Sequence, residues 1–280
     1  DAHAPYSAPA PYRTRFHEGL DALKPEQTIG FISDNRTTPV AASTLAYLAA
    51  LYDGNIAFLD DNVHALLAEL SAANGRETLL VITSDHGEAF QEHGYLGHSS
   101  WVYEEILTVP LIVHWPGKVA AGLTIDAPVQ SIDVLPTLGE LVGFPVPDGL
   151  PGRSHAAALL GGEPAPSRTV AGVVDPVLAF NRPKWWGISG TIDGVRYKLS
   201  RHGSSEPTLH ALTTDRRTRN NILATHRAQA TALMQAAEEL GVPLSAKSEQ
   251  YLTNHREISA EQVEQLKAMC MARIENELDV

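Results

Sequence analysis

The sequence predicts an α/β fold: a mixed, mostly parallel sheet flanked by helices on both faces, with a smaller C-terminal subdomain of antiparallel strands plus a helix. Three observations support this prediction. A long helical pattern precedes a short, continuously apolar strand, and a second strand and helix follow. After about residue 168 the pattern changes to short strands separated by turn residues. We therefore expect a larger α/β domain over residues 1–168 and a C-terminal subdomain over residues 169–280.

The composition allows a sizeable core and argues against some partners. The chain has 280 residues, of which 44% are hydrophobic, and this is enough for one large domain or one domain plus a smaller one. The formal charge of −12 argues against broad binding to nucleic acid or anionic membranes, because both need an excess of Lys and Arg. A small anionic substrate needs only a local positive cluster or a metal. The single cysteine, Cys270, excludes an internal disulfide and a multi-cysteine zinc site.

No membrane-spanning or targeting segment is recognisable in the sequence. There is no run of about 18 apolar residues, and the Pro-rich first nine residues lack the basic start and apolar stretch of a signal peptide. We expect a soluble protein of unknown compartment. Because the first residue is Asp rather than Met, a mature or truncated product is expected.

The first elements are a long helix and a strand. Residues 41–73 place apolar side chains mostly three and four positions apart, which predicts one amphipathic helix or two joined near Gly54. Residues 37–39, Thr-Thr-Pro, fit a cap and a first-turn proline. The continuous apolar run over residues 79–82 then predicts a buried, central parallel strand.

The remaining elements follow from local signals. Residues 109–115 predict a second strand, and residues 131–138 begin a short helix that ends at Gly143. Four short strands are predicted at residues 169–174, 185–192, 195–200 and 208–212. The pair Asp193-Gly194 predicts a hairpin turn. Helices are predicted over residues 219–240 and 260–278, and Cys270 lies on the apolar stripe of the second, which indicates a core residue rather than a nucleophile.

Asp85 and His86 directly follow the first strand and are candidate metal ligands. In open α/β sheets, ligand sites form just beyond the carboxyl ends of the strands. Neighbouring side chains of an extended strand face opposite ways, so both reach one ion only if the chain bends, which Gly87 permits. Further on, Glu92, His93 and His98 lie among glycines and suit a loop shaped around a ligand. The alternative is a solvated loop that happens to contain histidines.

These residues resemble the second metal motif of the sulfatase family, in the alkaline-phosphatase-like superfamily of sulfate and phosphate ester hydrolases. The motif comprises residues 83–88, Thr-Ser-Asp-His-Gly-Glu, followed by Glu-His-Gly at 92–94 and Gly-His at 97–98. Further segments resemble family segments and occur in the same order along the chain: His3-Ala4-Pro5-Tyr6 and residues 52–60, 104–112, 131–138, 152–154, 193–199 and 212–215. The resemblance covers nearly the whole chain and is specific for the family rather than for a substrate.

The resemblance implies roles for four residues. Asp85 and His86 would be ligands of an active-site divalent cation, and His3 would contact the ester oxygen or the transferred group. His98 stands where many sulfatases have a lysine and would assist the leaving group or bind sulfate. Both His3 and His98 are thus expected to be catalytic and substrate-binding residues, which suits imidazoles that donate a proton near neutral pH.

The implied cofactor is one divalent cation: manganese, zinc or calcium. Such an ion stabilises charge on the attacked group and lowers the pKa of a bound nucleophile. His86 occupies the position of an amide in many calcium-dependent members. Nitrogen ligation favours manganese or zinc over calcium, which prefers oxygen.

The nucleophile of the family is missing from this sequence. Family members carry two N-terminal aspartates and a Cys or Ser, oxidised to formylglycine, in a Cys/Ser-x-Pro-x-Arg motif, while related phosphoryl transferases use Thr. The sequence contains none of these motifs. In the family they precede the His-x-Pro-Tyr segment, which here begins the chain. We therefore expect the C-terminal portion of a longer enzyme, with the formylglycine on an N-terminal segment.

Two classes of function remain open. The first hypothesis is a metal-dependent sulfate ester hydrolase; within the enzyme class, a phosphodiester or phosphonate monoester hydrolase or a phosphoglycerol transferase is the alternative, since the Asp-His-Gly motif is shared. The second class is a catalytically silent fragment that binds metal, anions or a partner chain. The expected partners are a small anionic ester and either the missing N-terminal segment or a second copy.

Overall fold

The computed structural model describes residues 2–17, 23–74, 78–98, 101–163, 166, 168–174, 185–202 and 205–239. Two compact units divide the chain, Asp1–Leu233 and Met234–Val280, and the site described below belongs entirely to the first. The mixed α/β class is confirmed. The domain boundary after residue 168 stays a prediction. The expected helix over residues 260–278, with Cys270, lies outside the described residues.

The N-terminal part consists of two helices and the segment that packs on them. Helix α1 (Thr28–Asp34) was not predicted, whereas α2 (Ala42–Asn74) is the predicted long helix and is continuous. Gly54 does not break α2; a Cβ there would lie 2.7 Å from the carbonyl oxygen of Tyr12, so the glycine allows a close approach. The buried core of this part is formed by Ala4, Tyr6, Ile32, Tyr47, Leu48, Leu51 and Leu96.

The predicted mostly parallel sheet is not confirmed. Strand β1 (Leu80–Thr83) is followed by the short strands β2 (Ala89–Phe90) and β3 (Leu96–Gly97), the one-turn helix α3 (Glu104–Leu107) and strand β4 (Leu111–His114). β1 and β4 pair antiparallel, as do all strand pairs among the described residues. With β4 as its only partner in that part of the chain, β1 is half-buried rather than central. An apolar run does not encode the direction of its partner strand, so either pairing fits the same residues.

The C-terminal sheet agrees closely with the prediction. Four strands form it in the order β5 (Val170–Val174), β6 (Trp185–Ile192), β7 (Val195–His202) and β8 (Thr208–Ala211), all antiparallel. Between β6 and β7, Asp193 and Gly194 both have positive φ, 50° and 77°. Two such residues make the turn whose twist matches that of the flanking strands.

Among the remaining helices, one ends where the sequence predicts and another begins later than predicted. α4 (Val134–Val142) ends at Gly143, whose φ of 74° is left-handed, as predicted. α5 (Ala156–Leu159) is short, and α6 (Arg227–Glu239) begins eight residues later than position 219. The carboxylate of Asp215 accepts the N–H groups of Arg219 and Asn220 at 3.0 and 2.8 Å, and this holds the predicted first helical turn in a loop. Among the described residues, no helix has the length and apolar character needed to cross a membrane.

Candidate active site

The chain bends tightly where β1 ends, and the bend brings Asp85 and His86 together. The amide of His86 donates to Asp85 Oδ1 at 3.0 Å, and the hydroxyl of Ser84 donates to the carbonyl of His86 at 2.8 Å. As a result, Asp85 Oδ2 and His86 Nε2 lie 3.9 Å apart. The bend that Asp85 and His86 need in order to reach one ion is therefore present.

Gly87 contributes a close contact rather than the bend itself. Its φ is not positive, and its amide donates to the carbonyl of Ile106 at 2.8 Å. A Cβ at this position would collide with the carbonyl oxygen of Glu105. Only glycine therefore lets α3 pack directly against the chain that carries His86.

Three histidines from distant segments meet beside this bend. The Nε2 atoms of His3 and His98 lie 3.2 Å apart, although the two residues are 95 positions apart in sequence. The ring of His98 stacks on that of His86, with the ring centroids 4.0 Å apart. The ring centroids of His3 and His86 are 6.3 Å apart. The structure thus brings together His3, His86 and His98, and their roles stay predictions.

A buried carboxylate that the sequence analysis missed orients His98. Glu88, with its side chain only 4% exposed, accepts the Nδ1–H of His98 at 3.1 Å. Its other oxygen accepts the hydroxyl of Tyr6 at 2.9 Å, and Arg36 donates to the carbonyl of His98 at 2.7 Å. Burial, followed by the charge of Glu88, raises the pKa of Tyr6 far above its usual range, so the hydroxyl stays protonated. Tyr6 and Glu88 both lie in the quoted motifs, whereas nothing in the sequence pointed to Arg36.

The contacts of His3 and His98 at Nδ1 leave the Nε2 atoms of both rings facing each other. His3 Nδ1 lies 2.5 Å from the carbonyl of Ala4 and must donate to it, just as His98 Nδ1 donates to Glu88. Both neutral rings would then present lone pairs at Nε2.

Two residues of the expected ligand loop point elsewhere. Glu92 accepts the amide of Phe90 at 2.6 Å. His93 pairs with Glu105 at 2.8 Å through Nδ1 and contacts the Thr218 carbonyl at 3.2 Å through Nε2. Of the three candidate residues of this loop, only His98 therefore lies at the site, while His93 binds Glu105 of α3.

The donor set fits a divalent cation at Asp85 and His86. His86 Nδ1 donates to the carbonyl of Gly87 at 2.8 Å, which leaves the lone pair of Nε2 for an ion. An ion about 2.1 Å from each donor can span their separation. The neighbouring His86 charge and nearby amides hold the pKa of Asp85 below its usual range, so it is an anion at neutral pH. No group of three or more potential ligands occurs among the described residues, and the assignment of Asp85 and His86 as metal ligands stays a prediction.

The His93–Glu105 pair is expected to make stability depend on pH. Burial would lower the pKa of His93, but the hydrogen bond and charge of Glu105 outweigh it and raise that pKa above 6.5. Burial would raise the pKa of Glu105, but His93, with Lys198 nearby, lowers it below 4.5. The pair therefore makes its full contribution to the stability of the folded state between pH 4.5 and 6.5. This contribution is lost as the pH rises through the folded-state pKa of His93 or falls through that of Glu105.

Thermal unfolding of the wild type and of His93→Gln across this range tests the expectation. The difference in Tm should be largest between pH 4.5 and 6.5 and should shrink as the pH rises through the raised pKa of wild-type His93, because the imidazole then loses its charge. Arg219, whose charge lowers the pKa of His93, and Tyr103, which stacks on the ring, are unchanged in both proteins. A difference that stays constant with pH would contradict the assignment.

The fold and the site define a mixed α/β protein with a metal-capable, histidine-rich centre at a strand end. The chain belongs to the sulfatase family: the family model described as Sulfatase matches residues 1–144. A second model, described as N-sulphoglucosamine sulphohydrolase, C-terminal, matches residues 91–240.

Individual relatives agree with this assignment. The uncharacterized sulfatase YidJ of Escherichia coli (strain K12) is 28% identical over 167 residues, covering 56% of this chain and 33% of the relative. The multifunctional alkaline phosphatase superfamily protein PehA of Trinickia caryophylli is 34% identical over 124 residues, covering 44% and 24%. The phosphonate monoester hydrolase of Agrobacterium radiobacter shares the fold, with a TM-score of 0.65 at 24% identity over 86% of this chain and 54% of that one. The chain spans a third or less of the length of these two curated relatives.

Proposed function

We propose that the chain forms part of a metal-dependent enzyme that hydrolyses sulfate esters. The observation that supports this most strongly is the convergence of His3, His86 and His98 beside Asp85. An anionic ester needs positive charge at its oxygens and a proton for its leaving group. These four residues offer both within a few ångströms of one another.

Each residue has a separate task in the proposal. Asp85 and His86 hold a divalent cation, which when bound neutralises charge on the ester oxygens. His98 donates the proton at Nε2 to the leaving alkoxide, and Glu88 keeps the ring turned so that this atom faces the site. His3 shares that proton and contacts the ester oxygen.

The nucleophile is proposed to lie outside this chain. No Cys/Ser-x-Pro-x-Arg or Thr-x-Pro-x-Arg motif occurs in the sequence, and the chain covers only a part of each relative. We propose that residues 1–168 form the C-terminal part of the catalytic domain, that residues 169–280 form its C-terminal subdomain, and that a formylglycine from another segment of the protein completes the site.

Hydrolysis of phosphonate monoesters or phosphodiesters, or phosphoglycerol transfer, is the second candidate. It is favoured by the 34% identity to PehA, whose name describes a multifunctional member of the alkaline phosphatase superfamily. The same cation and histidines serve either substrate, because sulfate and phosphate esters both present anionic oxygens around a tetrahedral centre.

Three substrates with one leaving group separate these possibilities. The protein encoded by the complete reading frame that contains this chain is assayed, with Mn²⁺ or Zn²⁺, on the nitrophenyl esters of sulfate, a phosphate diester and a phosphonate. We expect kcat/KM to be highest for the sulfate. A higher value for the phosphonate or the diester would establish the second candidate, and no turnover of any ester would indicate a silent fragment.

A further inference from the structure

We propose that Lys198, in the middle of β7, is a positioning residue for the metal motif: by holding Glu104 it fixes α3 against Gly87 and so sets the backbone that carries His86. The contacts involved belong to the described residues and do not depend on the proposed function. Only the effect on metal affinity rests on that function.

Lys198 is buried and is aimed at α3. Its side chain is 2% exposed, and Nζ donates to Glu104 Oε1 at 2.6 Å and to the carbonyl of Val102 at 2.5 Å. The side chain crosses β6 at Gly187, where a Cβ would lie 3.3 Å from Lys198 Cε and 3.5 Å from Val102 Cβ. Because Gly187 has no side chain, the Lys198 side chain can pass over β6 and reach Glu104 of α3.

The ion pair contributes geometry more than net stability. Burial lowers the pKa of Lys198, and the charge and hydrogen bond of Glu104 act against that shift. Desolvation of a buried pair offsets much of its attraction, so well-packed apolar residues are often as stabilising. What apolar side chains cannot supply is a directed bond that fixes where α3 begins.

α3 depends on such bonds because it is a single turn. Its four residues are too few to form a stable helix alone. Glu104 is held by Lys198, Glu105 by His93, and the carbonyl of Ile106 accepts the amide of Gly87 at 2.8 Å. Since His86 immediately precedes Gly87, a shift of α3 moves the backbone of a proposed metal ligand.

Hydrogen exchange at the amide of Gly87 measures directly how firmly Lys198 and Glu104 hold α3 against Gly87. In Lys198→Met we expect that amide to exchange at least about 10-fold faster, because local opening of α3 breaks its bond. The amide of Leu96, which donates to the Arg36 carbonyl at 2.9 Å, serves as the internal reference and should keep its rate. The control variant is Arg201→Met, which removes another cation of β7. Arg201 donates to the carbonyl of Ser205, so its loss should change the exchange rate of neither amide.

Glu104 supplies variants that remain useful if Lys198→Met fails to fold. Glu104→Gln keeps an acceptor oxygen for Nζ and should exchange like the wild type, whereas Glu104→Leu removes it and should behave like Lys198→Met. Equal acceleration at Gly87 and Leu96 would overturn the proposal, since Lys198 would then act only on global stability. Unchanged exchange at Gly87 in both Lys198→Met and Glu104→Leu would overturn it as well.

Titration with Mn²⁺ extends the test to the metal. Folded Lys198→Met should bind Mn²⁺ about 10-fold more weakly than the wild type, within the range typical of groups that support metal ligands, and Glu104→Gln should bind it like the wild type. Equal affinity in wild type and Lys198→Met would overturn the link to the metal. If the wild-type protein of the complete reading frame binds no divalent ion, the proposed function fails, and the exchange experiment still decides whether Lys198 positions Gly87.

Discussion

Replacement of His98 by alanine is expected to lower kcat by about 10²–10⁴-fold, the usual contribution of a positioned general acid. The loss should grow as the leaving group becomes more basic, because a poor leaving group depends most on protonation. Glu88 holds Nδ1 of His98, so Nε2 is the atom that presents the proton. The measurement is kcat for a series of sulfate esters from nitrophenyl to alkyl, with the wild type and the variant compared at each.

The matched control is His64→Ala, which removes an exposed histidine of α2. It should leave kcat unchanged across the series. The pattern of loss also separates the two roles implied for His98. If His98→Ala raises KM and lowers kcat equally for every leaving group, then His98 binds the sulfate group and does not protonate the alkoxide.

Asp85→Ala is expected to abolish metal-dependent activity without harming the fold. The Asp85 side chain is 88% exposed, and its hydrogen bonds reach only Ser84 and His86. Its loss should therefore leave the Tm close to that of the wild type. If Asp85 is a direct ligand, as proposed, metal affinity should fall by more than the 10–100-fold that supporting groups produce.

Calorimetric titration with Mn²⁺, Zn²⁺ and Ca²⁺, together with thermal unfolding, tests this expectation. Asp60→Ala, which removes an exposed carboxylate from α2, is the control and should bind each ion like the wild type. Equal affinity in Asp85→Ala and the wild type would show that Asp85 is not a ligand. Stoichiometric calcium in protein purified without added metal would contradict the expected preference for manganese or zinc.

Features determined by neighbouring residues could be predicted from the sequence. The Asp193-Gly194 turn and the end of α4 at Gly143 each depend on one or two residues that adopt positive φ. The direction of β4 could not be predicted, because an apolar run carries no information on its partner. The start of α6 was also misplaced, since helical periodicity does not show that Asp215 captures two amides in a loop.

The candidate site was predictable only in part for the same reason. Asp85 and His86 follow a strand and could be recognised locally, but the approach of His3 to His98 was expected only from the resemblance to a family. The role of Gly87 depends on α3, which comes later in the chain. Similarly, the hydrogen bond between Tyr6 and Glu88 joins residues 82 positions apart, a contact that no spacing rule encodes.

Gly187 and Lys198 constrain each other's evolution. A methyl group at position 187 would press on the Lys198 side chain, and a shorter residue at 198 would leave Glu104 without its cation. We therefore expect a change at either position to require an adjustment at the other. Among natural variants of this sheet, a larger residue at 187 should be found together with a loss of the lysine, so the two positions should be inherited as a unit.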